Sequence, residues 1–385
     1  MTQPVLFRHS DMHDPYKHYM HMLEQENLFY DADNKLWAAY SYQCCSLLLN
    51  HPAAWIPTPA VPAAGVLNDA ANLLLEHLVR LSNPPAHTTI SSITMQVYQC
   101  LQPVPVDPLL KRLLAAGAIS GQVDWVNGIA KQLPVLHLLQ GFGFTDDDSK
   151  IVLQYIAQLV QIMLPVKNEQ QVKQVNEAVD KLYGIAEQYI LHHKALAAII
   201  GKNGPIPAHE CLLLVTVNLL GLLIQSYEAG RGLLSNVLLQ ALSFPGQEKW
   251  RNNQITWEAF VTETLRYNPP NHQTRRILQE DLLLNNRLLP QGAMVVLVLA
   301  SANRDPARFS DPHLFDPCRP GNADHLSFGR GAHACIARYS LLPLVAEVMK
   351  SLFTEYPQVR LSTGSISYEP LIHARLPAAM FLSLY

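Results

Sequence analysis

Near its C-terminal end the chain reads Phe328-Gly329-Arg330-Gly331-Ala332-His333-Ala334-Cys335. Two glycines in so short a loop let the backbone turn tightly and approach another group closely. The residues after Cys335, to about Phe353, read as a final helix, so the cysteine is expected to open it. The positive end of a helix dipole and its free amides favour thiolate over thiol. A thiolate preceded by a loop that can donate amide hydrogen bonds suits a soft metal. Spacing alone equally allows an activated nucleophile or a structural turn.

Upstream the pattern is helix after helix. Asp148 to Leu164 and Asn168 to Ile190 carry apolar residues at three- and four-residue spacing, with Thr145 as N-cap before Asp146, Asp147 and Asp148. A long helix is expected from about His209 to Leu242, stopped by Ser243-Phe244-Pro245-Gly246. Another is expected from Thr256 to Tyr267, ending at Asn268-Pro269-Pro270. Then the texture changes. Arg276 to Asp281 and Met294 to Leu299 read as strands around a Leu288-Pro290-Gln291-Gly292 turn, and the end of the chain as short strands. The fold class expected is mainly α, one large helical domain over residues 1–385 with β-rich parts near 30–60, 276–300 and 359–385.

The string FGRGAHAC resembles the haem-binding signature of the cytochrome P450 family, F-x-x-G-x-H/R-x-C. Three further motifs stand in the family's order. Glu263-Thr264-Leu265-Arg266 looks like its ExxR, whose acid and guanidinium share a helix face and can pair. Phe315-Asp316-Pro317-Cys318-Arg319-Pro320 supplies the downstream arginine, Arg319. Ala302-Asn303-Arg304-Asp305-Pro306 resembles the ANRDP of soluble bacterial members. More weakly, Asp14-Pro15-Tyr16 and Trp37…Tyr40 look like the family's opening, and Asn83-Pro84-Pro85-Ala86-His87 resembles its DPPEH segment, although Ser91 stands where an arginine is usual.

The resemblance implies the P450 fold and haem b (iron protoporphyrin IX), with Cys335 as axial thiolate, a ligand that pushes electron density onto iron. It implies that Phe328 shields the sulfur, that Gly329 shapes the loop, and that His333, Arg276 and His87 reach propionates. Glu263, Arg266 and Arg319 would be structural, and Asn271 to Thr274 would line the substrate pocket.

The chain departs from the family in its central helix. There A-G-x-D/E-T is replaced by Gln225-Ser226-Tyr227-Glu228-Ala229. Glu228 keeps the acid, but Ala229 stands in place of the threonine. Dioxygen activation needs protons delivered in place, and hydroxyl positioning of that kind is worth decades in rate. A substrate hydroxyl or water would have to replace it; otherwise the enzyme uses peroxide, performs a non-hydroxylating reaction, or is catalytically weak. Gln225 either hydrogen-bonds a substrate or a haem ligand, or faces a neighbouring helix.

Composition sets outer bounds. The net charge of −3 lacks the basic excess of a nucleic-acid binder. Six cysteines without a CxxC pair fit a reducing cytoplasm. The most apolar run, Cys211 to Ile224, falls short of the ~20 residues of a membrane span and reads as a buried helix. His9, His13, His18 and His21 lack metal-ligand spacing and read as solvated. His192-His193 reads as an exposed helix end, and Cys44-Cys45 as core. The expected activity is a monomeric monooxygenase or oxidative tailoring enzyme of secondary metabolism. It would act on a small or carrier-bound organic molecule and be fed by a ferredoxin-type donor with its reductase, with Arg330 and Arg338 meeting an acidic partner. The alternative from another class is a haem protein that senses or holds a ligand without turnover.

Overall fold

The apolar run Met294-Val295-Val296-Leu297-Val298 carries no polar alternation, as expected for a strand buried on both faces. In a computed structural model of the chain it is the centre of a five-stranded sheet. The structure describes residues 4–58, 66–164, 166–204, 206–246, 249–250, 254–362 and 365–385. The sheet order is Leu28–Asp31, Leu36–Ala39, Met294–Leu297, Thr274–Leu278, Ala54–Trp55. Trp37 pairs with Val295 in parallel, whereas Arg276 pairs with Val295 from the other side, antiparallel. Val295 and Leu297 enter one apolar cluster with Leu48, Cys44, Cys45 and Leu278. Val296 and Val298 enter another with Val5, Tyr19, Met22 and Tyr40. Side chains alternate along a strand, so Arg276 shares the face of buried Leu278.

The chain divides into two compact units. One comprises Met1–Pro57, Val106–Lys131 and Ala229–Tyr385. It holds this sheet, the Leu282–Leu284/Arg287–Leu289 hairpin, a small sheet joining Gln122–Asp124, Phe381–Ser383 and Arg360–Leu361, and helices that include Trp257–Tyr267 and Arg338–Glu355. Residues 59–60 and 363–364 of the expected β-rich stretches lie outside the described residues.

The other unit, Thr58–Pro105 and Gln132–Glu228, is helical. Thr145 caps Asp146–Leu159 through the amide of Asp148, at 3.1 Å. Asn168 and Gln171 form a capping box on Glu169–His192, where exposed His192 ends the helix. Asn218 pins helix Ala208–Gln225: its Oδ1 accepts the Val79 amide at 2.9 Å, and its Nδ2 donates to His77 O at 3.1 Å. Gly221 allows a close approach, since a Cβ there would stand 2.6 Å from Leu78 Cδ2. This helix continues through a π-turn at Ser226–Gly230 into Arg231–Ser243. By length and composition the 36-residue span Ala208–Ser243 could cross a membrane, but 67% of its most apolar window is buried inside the protein.

Three expectations are corrected. The last helix begins at Arg338, not Cys335; a 3-10 turn, Gly331–His333, and two further turn residues come first. The strand expected from Arg276 runs Thr274–Leu278, because its partner Leu297 extends the ladder two residues upstream. His9 and His18 are buried, their rings packed edge-on against Phe7, whereas His13 and His21 are exposed as read. Aromatic neighbours in the fold, invisible to local spacing, enclosed them.

Candidate active site

On helix Trp257–Tyr267 the spacing of Glu263 and Arg266 puts both on one buried face. Arg266 Nε and Nη2 donate to the two carboxylate oxygens of Glu263 at 2.9 and 2.7 Å. Its remaining N–H groups reach the carbonyls of Asn303, Pro312 and Leu314 at 2.9 to 3.1 Å, so every donor of the guanidinium is used. Glu263 also accepts Arg319 Nε at 3.4 Å and the Asp316 amide at 3.0 Å. Arg319 in turn holds the carbonyls of Ser310, Asp311 and Leu314. The three charged residues thus organise the irregular 303–319 segment. Charges so deeply buried are tolerable only because each is paired and fully hydrogen-bonded.

From this hub the order passes to the cysteine loop. Asn303 Oδ1 accepts the Leu326 amide at 2.7 Å, and its Nδ2 donates to Ser327 Oγ at 2.8 Å. Ser327 Oγ donates to Leu265 O. The loop then turns on Gly329 and Gly331, at φ +64° and +68°, a region that suits glycine. The Cys335 amide closes it onto Phe328 O at 2.8 Å. Phe328 is half-buried, its ring centroid 5.4 Å from that of His325. Burial, followed by the charges of Arg266 and Arg330, pushes the His325 imidazole down to about 4, so that ring stays neutral. Cys335 is half-buried and in no disulfide, and His333 is half-buried beside it.

Helix Tyr42–Asn50 braces the loop from outside. A Cβ on Gly331 would stand 2.8 Å from Leu49 O. Arg330 donates to Ser46 Oγ at 3.2 Å, to Tyr42 Oη and to Asp324 O. Half-buried Arg330 is thus folded back on this helix, with its hydrogen bonds made to neutral groups. Arg338 is exposed, stacked on Tyr339.

Arg276 is 3% exposed. Its Nη1 donates to Arg275 O and Thr274 Oγ1, and its Nε has no partner. Desolvation lowers it to about 10. A buried guanidinium with no carboxylate and an orphaned donor is costly, and a carboxylate-bearing group would relieve it. Haem, with its propionates, fits this arginine, and the cysteine in its glycine loop fits the iron.

Of the substrate-side residues, Asn271 is half-buried and bridges to Ala374, and Thr274 opens the strand. Between them, His272 is fully buried against Tyr19 Oη at 3.0 Å, and Gln273 Nε2 donates to Ile372 O at 2.7 Å. His272 is thus held among aromatic rings, while Gln273, half-buried, ties the turn to the C-terminal end of the chain.

In the other unit, His87 is buried with its Nδ1 2.9 Å from Ser82 Oγ. Gln225 Nε2 turns back to Gly221 O at 3.1 Å, the carbonyl one helical turn earlier. Glu228 is half-buried in the π-turn Ser226–Gly230, followed in sequence by Ala229. The sequence reading missed Asn303, Ser327, Tyr42 and Ser46 as supports of the loop. Asn303 carried a signal, since it stands within the quoted ANRDP.

The Cytochrome P450 family profile matches residues 248–339, a stretch that includes Glu263, Arg266, Arg276, Arg319 and Cys335. The chain is 29% identical to 6-deoxyerythronolide B hydroxylase of Saccharopolyspora erythraea over 73% of its length and 70% of the relative's. It is 28% identical to cytochrome P450 monooxygenase PikC of Streptomyces venezuelae over 78% and 74%. Among solved structures, P450BioI in complex with hexadec-9Z-enoic acid ligated acyl carrier protein superimposes with a TM-score of 0.82 at 22% identity, over 96% of this chain and 98% of that one. The ExxR hub, the glycine-turned cysteine loop and the buried strand arginine all lie in the stretch over which the chain is similar to the cytochrome P450 family.

Proposed function

We propose that the protein is a haem-thiolate monooxygenase that oxidises a small or medium organic molecule, free or carrier-bound, in secondary metabolism. The observation that carries this is the combination of Cys335, in no disulfide and presented by a braced glycine loop, with Arg276, buried and without an ion pair among the described residues. Haem bound there supplies one-electron and dioxygen chemistry. Cys335 would hold it, Arg276 and His333 would meet its propionates, and the family resemblance gives His87 the same part. Phe328 keeps water from the sulfur.

Glu228 carries protons toward the reacting face. Ala229 offers no hydroxyl to orient them, so a substrate hydroxyl or a water bonded to Glu228 takes that part. This reading makes turnover depend on the substrate. Gln225, its amide N–H bonded to its own helix, has its side-chain oxygen left to accept from such a water. Exposed Arg338 suits an acidic ferredoxin-type donor served by its reductase. The names of the similar hydroxylase and monooxygenase, and the carrier-protein complex of the structural neighbour, support the substrate class. A monomer in the cytoplasm is the state in which such a protein would work.

The test is the carbon monoxide difference spectrum of the dithionite-reduced protein beside Cys335→Ala. A strongly red-shifted Soret band that vanishes in the variant is expected. A band typical of histidine ligation in the native protein would sink the proposal. Turnover with a reduced ferredoxin against turnover with peroxide then decides the oxidant, and Ala229 is the reason to run both.

A further inference from the structure

Beside the start of helix Pro15–Gln25 lies a cleft of about 420 Å3, lined in part by Arg304 and Arg375. Neither Arg276 nor any residue of the cysteine loop lines it. Arg304 is 8% exposed and Arg375 7%. The Arg304 guanidinium is clamped between two phenol rings, 3.5 Å from the centroid of Tyr16 and 3.6 Å from that of Tyr267. Its Nε and Nη2 donate to Tyr267 O, and among the described residues its Nη1 meets no acceptor. Arg375 stacks on Tyr368 at 3.6 Å and donates to the carbonyls of His9, Met12 and His13.

Every acceptor these arginines have is a neutral carbonyl. Among the described residues neither makes an ion pair, unlike the buried Arg266 and Arg319, which share Glu263. Carbonyls and ring faces satisfy geometry and part of the field, but they do not neutralise two guanidinium charges removed from water. The one acid in the lining, Asp14, is committed: its Oδ1 accepts the Tyr16 and Lys17 amides as the helix N-cap. Lys17 adds a third cation at the rim. Three cations against one carboxylate leave an excess that a dianion would balance, and the Nη1 donors of Arg304 are left to meet phosphate oxygens.

We propose that this cleft is a second ligand site that takes the phosphate group of a small phosphate monoester. Arg304 Nη1 and Lys17 contact the phosphate oxygens. Arg375 adds fixed positive field from behind, and the remaining volume takes the organic part of the ligand.

The test is calorimetric titration of the haem-loaded protein with inorganic phosphate and with glycerol 3-phosphate, at constant ionic strength in chloride. Saturable binding with one site is expected for both, without change in the Soret band. Lys17→Gln is expected to weaken binding about fivefold and Arg304→Lys, which keeps charge but loses the Nη1 donors, about tenfold or more. Lys17 is at the surface, so its variant decides the matter even if Arg304→Lys does not fold. No saturable binding by either probe, or equal affinity in Lys17→Gln and the native protein, would overturn the proposal and leave the arginines as purely structural clamps.

Discussion

Asn303 accepts the backbone N–H of Leu326 at 2.7 Å and so links the ExxR hub to the loop that presents Cys335. The same side chain donates to Ser327 Oγ, and Arg266 holds the Asn303 carbonyl. One residue therefore couples two pieces of chain that the cysteine needs in fixed relation. Asn303→Ala leaves the Leu326 amide without its acceptor and Ser327 without its donor. Each unsatisfied buried group costs about 1–3 kcal/mol. Denaturant unfolding is expected to show that loss, and the carbon monoxide spectrum a lower share of thiolate-ligated haem. Unchanged spectra with lowered stability would show that the link supports the fold but not the ligand.

Gly331 and Gly292 allow the two reasons for a glycine to be separated. Both have positive φ, +68° and +80°. A Cβ at Gly292 meets open space, whereas at Gly331 it meets Leu49 O at 2.8 Å and Asn50 Oδ1 at 3.2 Å. Gly292→Ala is expected to cost only the left-handed conformation, about 1–2 kcal/mol. Gly331→Ala adds the collision with helix Tyr42–Asn50, with the cysteine loop displaced. Haem content per chain should fall in Gly331→Ala and stay normal in Gly292→Ala; equal haem content in both would show that the helix does not brace the loop.

Arg276 should behave differently in the haem-free and haem-loaded states. Among the described residues its charge is buried without a counter-charge, and its Nε has no partner. Removing a poorly compensated buried charge is often neutral or stabilising by about 1–4 kcal/mol. Arg276→Leu is therefore expected to leave the apoprotein as stable as the native chain or more so, yet to release haem about tenfold faster. Transfer of haem to an acceptor globin and denaturation of the apoprotein measure the two effects. A less stable apoprotein with unchanged haem release would assign Arg276 to packing.

Acid should unfold the protein partly through its buried imidazoles. Burial holds His9 at about 3 and His325 at about 4, against an ordinary 6.5. Below 6.5 the unfolded chain takes up these protons and the folded chain does not, so stability falls as pH drops toward those values. Each histidine contributes about 1.4 kcal/mol per pH unit across its window. His9 has neither ring nitrogen hydrogen-bonded, so an apolar substitute loses no partner. His9→Leu is expected to match the native protein above pH 7 and to show a shallower decline between about pH 6 and 4. A parallel decline would mean that His9 opens to solvent before it titrates.

Much of the architecture was legible because the local signals were strong. Helix Asp146–Leu159 begins at Thr145, where the hydroxyl and three following aspartates announce it. The buried central strand shows as an unbroken apolar run, and helix Ala208–Gln225 as another. The ExxR pairing followed from the i,i+3 geometry of a helix alone. The missed features depend on contacts between residues far apart in the chain. Arg330 meets Tyr42 and Ser46, and His9 is enclosed by Phe7 and His272. No local period encodes such meetings. The start of the last helix was misplaced because nothing in the residues after Cys335 marks a cap, and Ala337 makes no side-chain cap bond.

By itself the sequence determined the cysteine, the glycines that let its loop turn, the acid and arginines of the hub, and the order in which they occur. These are covalent facts, and the conformations they favour are local. Only the tertiary structure decided that Asn303 joins hub to loop, that helix Tyr42–Asn50 seats Gly331 and Arg330, and that Arg276, Arg304 and Arg375 are buried without ion pairs among the described residues. Whether a charge is compensated depends on which groups packing brings within a few ångströms, and on how much water packing removes. Both are properties of the folded chain, not of any segment of it.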